Sequence, residues 1–330
     1  MIRHHIGRRA MLAGAGLALT AQATESQAQN PAASWPQRPV RVILPYPPGG
    51  GTDVLARALV EAMRPNLAQP IIVENRPGAQ GVIGSEAVAR AEPDGSTFAV
   101  VTSTHNLNKY QLAQIPYDPV KDFTPVAILS RQILVLVAAR NQPFEDVAGL
   151  VRYARANPGK VGFGATEALT AFAGHEFNRR ASVQTEEIQY RGGGLLMNDI
   201  VAGHLPIGWT STASALPHLA TNQVRVLAVS TAERTQLLPD VPTVREGGVA
   251  DYDVSGWVAA LAPPRMPPAL VREVHAAIAR AYAEPALKER FRTLGLEPNL
   301  LDPERTAAFL KADDARWADA AAKGQIVKQQ

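Results

Sequence analysis

The chain has 330 residues, of which 46% are apolar and 19% charged, with a formal net charge of +3 and no cysteine. That length exceeds what one hydrophobic core usually serves, and the composition is that of an ordinary soluble globular protein, so two domains are expected. The small, scattered charge argues against nucleic-acid binding, and the missing cysteines exclude disulfides, thiolate metal sites and a cysteine nucleophile.

The N-terminus reads as an export signal. Arg3, Arg8 and Arg9 precede a short apolar run, Ala10 to Leu19, and two small-residue exits follow at Ala21-Gln22-Ala23 and Ser26-Gln27-Ala28. This is the pattern of a secretory signal peptide over residues 1–28, with cleavage between 23 and 30. The run is too short to span a bilayer.

A strand over Val40 to Leu44 then meets Pro45, Pro47, Pro48 and three glycines, Gly49 to Gly51, before Thr52 opens a helix bearing Val54, Leu55, Ala58 and Leu59 on one face. Glycines and an uncovered helix start present backbone N–H groups, whose partial positive charge suits a carboxylate, sulfate or phosphate. Neither GxGxxG nor GxxxxGK[ST] occurs here, so the nucleotide fingerprints are absent. The alternative is a turn that binds nothing.

Ile71 to Val73 is a second strand, followed by the breaker-rich turn Glu74 to Gly81 and a helix through Val82, Ile83, Ala87 and Val88. A third strand, Thr97 to Val101, carries Thr102, Ser103, Thr104, His105 and Asn106 at its end. Repeated strand, turn and helix argue for a parallel sheet with helical crossovers. Residues 116–125 read as a loop, and Ile133 to Ala139 is apolar enough for burial on both faces.

A second round begins near Phe144: a helix over 145–156, a strand from Val161 to Phe163, the turn Gly164 to Thr170, and another helix. A strand at Ile188 to Tyr190 leads into Arg191-Gly192-Gly193-Gly194, and one at Pro206 to Thr210 ends in Trp209-Thr210-Ser211-Thr212. After strands at 224–229 and 254–261, residues 269–299 and 303–324 read as helix with no strand partner late in the chain. These terminal helices should pack back on the first domain. The expected division is a discontinuous lobe of 35–139 plus 250–330 and an inserted lobe of 140–249.

Signs of catalysis are few. GxSxG is absent, and His175-Glu176 lacks the second histidine of HExxH. His105, His204, His218 and His275 stand far apart, and Asp53 reads as a local cap and dipole partner for its helix. Arg191 meets either an anion or solvent, and Trp209 and Trp257 are candidates for a pocket wall or for the core. No catalytic residue, metal ligand or cofactor is assigned. The recurring pattern is backbone and hydroxyl groups at strand ends, suited to holding a small polar solute in a cleft between domains.

Several ordered segments carry a family likeness. They are Pro47 to Asp53 (PPGGGTD), Glu74 to Ala79 with Gly81, Pro93-Asp94-Gly95, Tyr190 with Gly192-Gly193, Ser214 to His218, Leu227 to Ser230, and Pro239 to Thr243. In this order the chain resembles the periplasmic solute-binding receptors of tripartite tricarboxylate transporters, the Bordetella uptake gene (Bug) family. The resemblance implies a type II periplasmic binding protein fold: two α/β lobes of mixed, mainly parallel sheet, helices on both faces, and a ligand cleft between them. It further implies a periplasmic venus-flytrap receptor that captures a small organic carboxylate, without a cofactor, and delivers it to a permease of one large and one small membrane subunit. By that resemblance Gly49, Gly50, Gly51, Thr52, Ala79, Gln80 and Gly81 clamp one carboxylate, while Thr102, Thr104, Asn106, Thr166 and Thr210 read the rest of the solute. The chain departs from the family pattern at Ala171, where relatives usually carry histidine, and at Thr210 and Pro206, where they often carry aspartate. That loss of acid disfavours an amino-bearing solute. Glu167 either restores the negative charge or is solvated. The alternatives are a ligand-dependent partner of a sensor protein and a secreted enzyme acting on a small carboxylate.

Overall fold

The computed structural model describes Met1 and residues 35–328, so the expected signal peptide and its cleavage sites lie outside the described residues. From Trp35 onward the chain forms two α/β lobes. In the first, β1 (Val40–Leu44) pairs in parallel with β2 (Ile71–Asn75) and β3 (Thr97–Thr102). The sheet continues through β9 (Ser255–Ala262), antiparallel to β3, and then β4 (Thr124–Ala139). In the second lobe, β5 (Val161–Ala165) lies parallel between β6 (Thr185–Gln189) and β7 (Ile207–Ser211), and β8 (Val224–Val229) joins β4.

Strand β4 is common to both sheets. Its residues 124–133 pair with β9, and residues 134–139 pair with β7 and β8. The second stretch, LVLVAA, has hydrogen-bonded neighbours on both edges and apolar layers on both faces, which explains its unbroken hydrophobicity. The first stretch was expected to be loop up to 125, because Thr124-Pro125 looks like a breaker. Pro125 instead stands near the strand's start beside an irregularity in the β9 ladder, a position that tolerates a missing N–H.

Helices α1 (Gly51–Met63), α2 (Val82–Ala89) and α3 (Thr104–Gln111) follow the first three strands. In the second lobe α4 (Val147–Ala156), α5 (Ala168–Ala181), α6 (Gly193–Val201) and α7 (Thr212–Ala220) do the same. The C-terminal part contains α8 (Pro268–Ala283), α9 (Pro285–Thr293) and α10 (Pro303–Ala322). Contrary to the sequence reading, a strand, β10 (Glu297–Leu301), interrupts them and pairs antiparallel with β4. Its sequence EPNLL has a proline and no alternation, so only the partner strand makes it a strand. Helix α10 starts at Pro303 behind Asp302, whose carboxylate accepts from Arg305 N at 2.8 Å. It does not stay on one lobe: Leu310 packs into the first lobe's core, and Trp317 into the second's, edge-on to Phe172 at 5.0 Å.

Residues 102–106 were expected to present their side chains at a strand end, but α3 takes most of them into the interior. His105 is 2% exposed, and its Nε2 lies 3.1 Å from Pro119 O while Nδ1 lies 3.2 Å from Ser85 Oγ. The neutral tautomer that donates from Nε2 and accepts at Nδ1 satisfies both. Tyr117 stacks on the ring at 5.4 Å. Burial dominates and pushes the imidazole down from 6.5 to about 4. A histidine with a depressed native pKa contributes stability above its unfolded value that is lost as pH falls toward the native one. Between pH 6.5 and 4 the wild type should therefore lose on the order of 2–3 kcal/mol from this residue. Chemical denaturation across that range should show a shallower decline for His105→Gln.

Candidate functional site

Four helix starts border one cleft between the lobes: α1 from the first lobe, and α5, α6 and α7 from the second. The cleft holds about 90 Å³ of space, smaller than the roughly 150 Å³ cavity that can hold benzene. Helices α1 and α6 have glycine at the N-cap, Gly50 and Gly192, with no side chain satisfying the first-turn N–H groups. Serine and threonine are the usual caps, and leaving them out keeps these donors free for a solute. Helix α7 is capped by Ser211, which accepts from Ser214 N at 3.3 Å.

The 45–53 loop is held from below by Asp53. Its carboxylate accepts from Gly49 N at 3.0 Å, from Arg57 Nε at 3.0 Å and from Asn75 Nδ2 at 3.0 Å. Burial pushes this acid up, but the bonds from Arg57, Gly49 and Asn75 outweigh it and keep the carboxyl below the usual range. Asp53 is thus the local cap that the sequence indicated, tying the loop to β2.

The lobes touch around the cleft. A Cβ on Gly51 would lie 3.0 Å from Ser211 Oγ and 3.5 Å from Ala213 Cβ, and one on Gly192 would lie 3.5 Å from Pro47 Cβ. Thr212 Oγ1 donates to Gly295 O at 2.6 Å. The glycines allow the loops of opposite lobes to meet, which makes this a closed arrangement.

Of the candidate residues, Gly50, Gly51, Thr52, Thr166 and Thr210 line the cleft. No side-chain hydrogen bond to the protein engages Thr52, Thr166 or Thr210 among the described residues, so their hydroxyls are free for a solute. Gly49 borders an adjoining groove beside Val54, Gly194 and Met197. Ala79, Gln80 and Gly81 lie outside the cleft lining. Residues 78–81 all have positive φ (139°, 45°, 54° and 95°), a strained turn. A Cβ on Gly81 would meet the Tyr46 ring at 3.1 Å, so this turn backs Tyr46, which does line the cleft. Asn106 is fully buried and donates to Leu310 O and Asp313, fastening α3 to α10 away from the cleft.

Thr102 and Thr104 act through another residue. Glu167, at the start of α5, accepts from Thr102 Oγ1 at 2.8 Å, Thr104 Oγ1 at 3.0 Å and Gln132 Nε2 at 2.7 Å. These bonds cross from the first lobe and β4 to the second, so Glu167 is not the solvated residue that its sequence position allowed. Thr102 Oγ1 also lies 3.0 Å from the Tyr46 hydroxyl. Because Thr102 has one hydroxyl proton, given to Glu167, Tyr46 is the donor in that second bond. Burial, chiefly, and then the charge of Glu167 push the Tyr46 phenol far above its usual value. Burial likewise raises Glu167, against the bonds from Thr102, Gln132 and Thr104 that pull it down.

Two cations border the cleft. Arg131, on β4, lies 3.9 Å from Glu297, and Arg191 has no hydrogen bond or ion pair to the protein among the described residues. Arg131 was not singled out from the sequence, since an arginine inside an apolar strand run carries no spacing signal. Trp209 and Trp257 are 1% and 2% exposed and belong to the cores, not to the wall of the cleft.

Residues 55–325 match the Tripartite tricarboxylate transporter family receptor profile. The chain is similar to a UPF0065 protein in the tcbD-tcbE intergenic region of Pseudomonas sp. (strain P51), 33% identical over 316 residues, 95% of this chain and 93% of that one. Among solved structures it resembles R. palustris Rpa4515 with adipate, at 28% identity and a TM-score of 0.85, covering 90% of this chain and all of the other. It also resembles MatC from Rhodopseudomonas palustris with bound malate, at 29% identity and a TM-score of 0.80, covering 87% and 99%. The matched profile spans most of the chain and the Pseudomonas relative is 33% identical over almost all of it, so the protein belongs to the tripartite tricarboxylate transporter receptor family.

Proposed function

We propose that this protein captures a small organic carboxylate in the cleft between its lobes and releases it to a tripartite-type membrane transporter. Membership of the family makes it a solute receptor and not an enzyme. The observation that carries the carboxylate reading is the pair of glycine-capped helix starts, α1 from one lobe and α6 from the other, opening on the same small space. Each offers unpaired N–H groups and the positive end of a helix dipole, which together favour an anion. Gly50, Gly51 and Thr52 hold the solute from the first lobe, and Thr166, Thr210 and Arg191 from the second. The dicarboxylates adipate and malate, named with two structural relatives, are the first solutes to try.

The same reading places the protein in the periplasm, with residues 1–28 as its export signal and a large and a small permease subunit as its partners. The discontinuous division into lobes is supported by the change of sheet along β4 and the return of the chain through β9.

Mass spectrometry of small molecules released from the native protein should yield an organic acid. Protein unfolded to remove it and then refolded should bind one carboxylate per chain by calorimetry. Release of an uncharged sugar, with no heat from a broad panel of carboxylates, would overturn the proposal.

A further inference from the structure

We infer that Glu167 is the proton-binding group of the cleft, so that the solute anion and one proton are taken up together, the proton onto Glu167 Oε1. The inference rests on the carboxylate reading above and adds the charge balance that reading requires. Glu167 lines the cleft itself. An ionised Glu167 and an incoming carboxylate would share a space of about 90 Å³, and like charges at such range drive one of them to protonate.

No neighbouring charge cancels Glu167. The groups that face it are the Thr102 and Thr104 hydroxyls from the β3–α3 junction, the Gln132 amide from β4, and the Thr170 backbone N–H of its own capping box at the start of α5. The Tyr46 phenol approaches from the loop after β1, and it is neutral. Among the other charged groups lining the cleft, Asp53 is bound to Arg57, Arg131 lies nearest Glu297, and Arg191 is exposed at the 191–193 turn. Among the described residues no cation lies within ion-pair distance of Glu167.

A place for the proton is already built. Oε2 accepts from two hydroxyls, and Oε1 accepts from the Gln132 amide. In that arrangement Gln132 Oε1 is buried without a partner, and so is Ser103 Oγ. Both press on Gly256, where a Cβ would lie 2.8 Å from Gln132 Oε1 and 2.4 Å from Ser103 Oγ. Turning the Gln132 amide over lets a protonated Oε1 donate to the Gln132 oxygen, which gives that buried oxygen a partner. An amide's orientation follows the proton of its partner. Burial of Glu167, which raises its pKa, acts in the same direction.

The test compares stripped, refolded wild-type protein with Glu167→Gln, whose amide copies the protonated acid. Calorimetry with malate and adipate in buffers of different ionisation enthalpy counts protons. Wild type should take up close to one proton per anion, with affinity falling about tenfold per pH unit above the free-protein pKa. Glu167→Gln should take up none, with flat affinity that equals or exceeds wild type at pH 8. A wild-type count near zero, together with binding weakened tenfold or more in Glu167→Gln, would overturn the inference, because Glu167 would then stay charged and pair with a donor on the solute. If neither protein binds a carboxylate, the carboxylate reading fails, and the proton site is judged on free protein by ¹³Cδ titration of Glu167. A midpoint well above the ordinary carboxylate range upholds the proton site, and an ordinary midpoint overturns it.

Discussion

Gly51→Phe should abolish solute binding while leaving the protein folded. The position is the first residue of α1, and a Cβ there already lies 3.0 Å from Ser211 Oγ across the cleft. Its backbone φ is not in the left-handed region, so a side chain is not strained locally, and its only conflict is with the opposite lobe. A phenyl ring therefore acts as a wedge. With the lobes apart, a carboxylate meets the N–H groups of α1 or those of α6 but not both, and the competent closed state is depopulated. A loss of at least ~1,000-fold, about 4 kcal/mol, is expected by calorimetry. Gly51→Ala brings the wedge without the ring and should lose far less. Near-native affinity in Gly51→Phe would show that solute does not depend on this closure. The thermal transition should stay within a few degrees of wild type, since the core clusters do not include Gly51.

Trp209→Ala should do the reverse. Trp209 is 1% exposed on β7, stacked on Tyr252 at 5.6 Å and tilted against Phe177 at 6.1 Å. Removing a buried indole leaves a cavity and should cost about 3–5 kcal/mol in denaturant unfolding. Its neighbour Thr210 faces the cleft, since successive residues of a strand point to opposite sides. Affinity measured well below the transition should therefore stay within about threefold, a change of less than 1 kcal/mol. A large affinity loss with little loss of stability would instead make Trp209 part of the pocket wall. Trp209→Phe keeps part of the packing and should cost less than the alanine variant.

Both expectations depend on sidedness, and sidedness separates what was legible in the sequence from what was not. The strand, glycine turn and helix at 40–63 were legible because each signal is local: a β-rich run, a turn only glycine enters easily, and apolar spacing of helical period. Asp53 as a local cap was legible for the same reason, since its partner Gly49 lies four residues away. Strand β10 was not, because EPNLL has no strand signal of its own and its partner β4 lies far away in the sequence. Asn106 reads as a candidate for solute until α10, some 200 residues later, supplies Asp313 as its acceptor.

Glu167 shows the same limit at the site. Its position before α5 marks it only as a residue at a helix mouth, and its chemistry is set by Thr102, Thr104 and Gln132 from separate segments.

By itself the sequence determined the receptor family, the α/β layers and the presence of glycine-opened helix starts, because backbone conformation and amphipathic period are written in neighbouring residues. Only the tertiary structure decided which of those starts share a cleft, that the 78–81 turn stands behind Tyr46, and that Glu167, with no ion-pair partner among the described residues, lines that cleft. Those properties are distances between segments far apart in the chain, and burial changes the chemistry of a side chain without changing its letter.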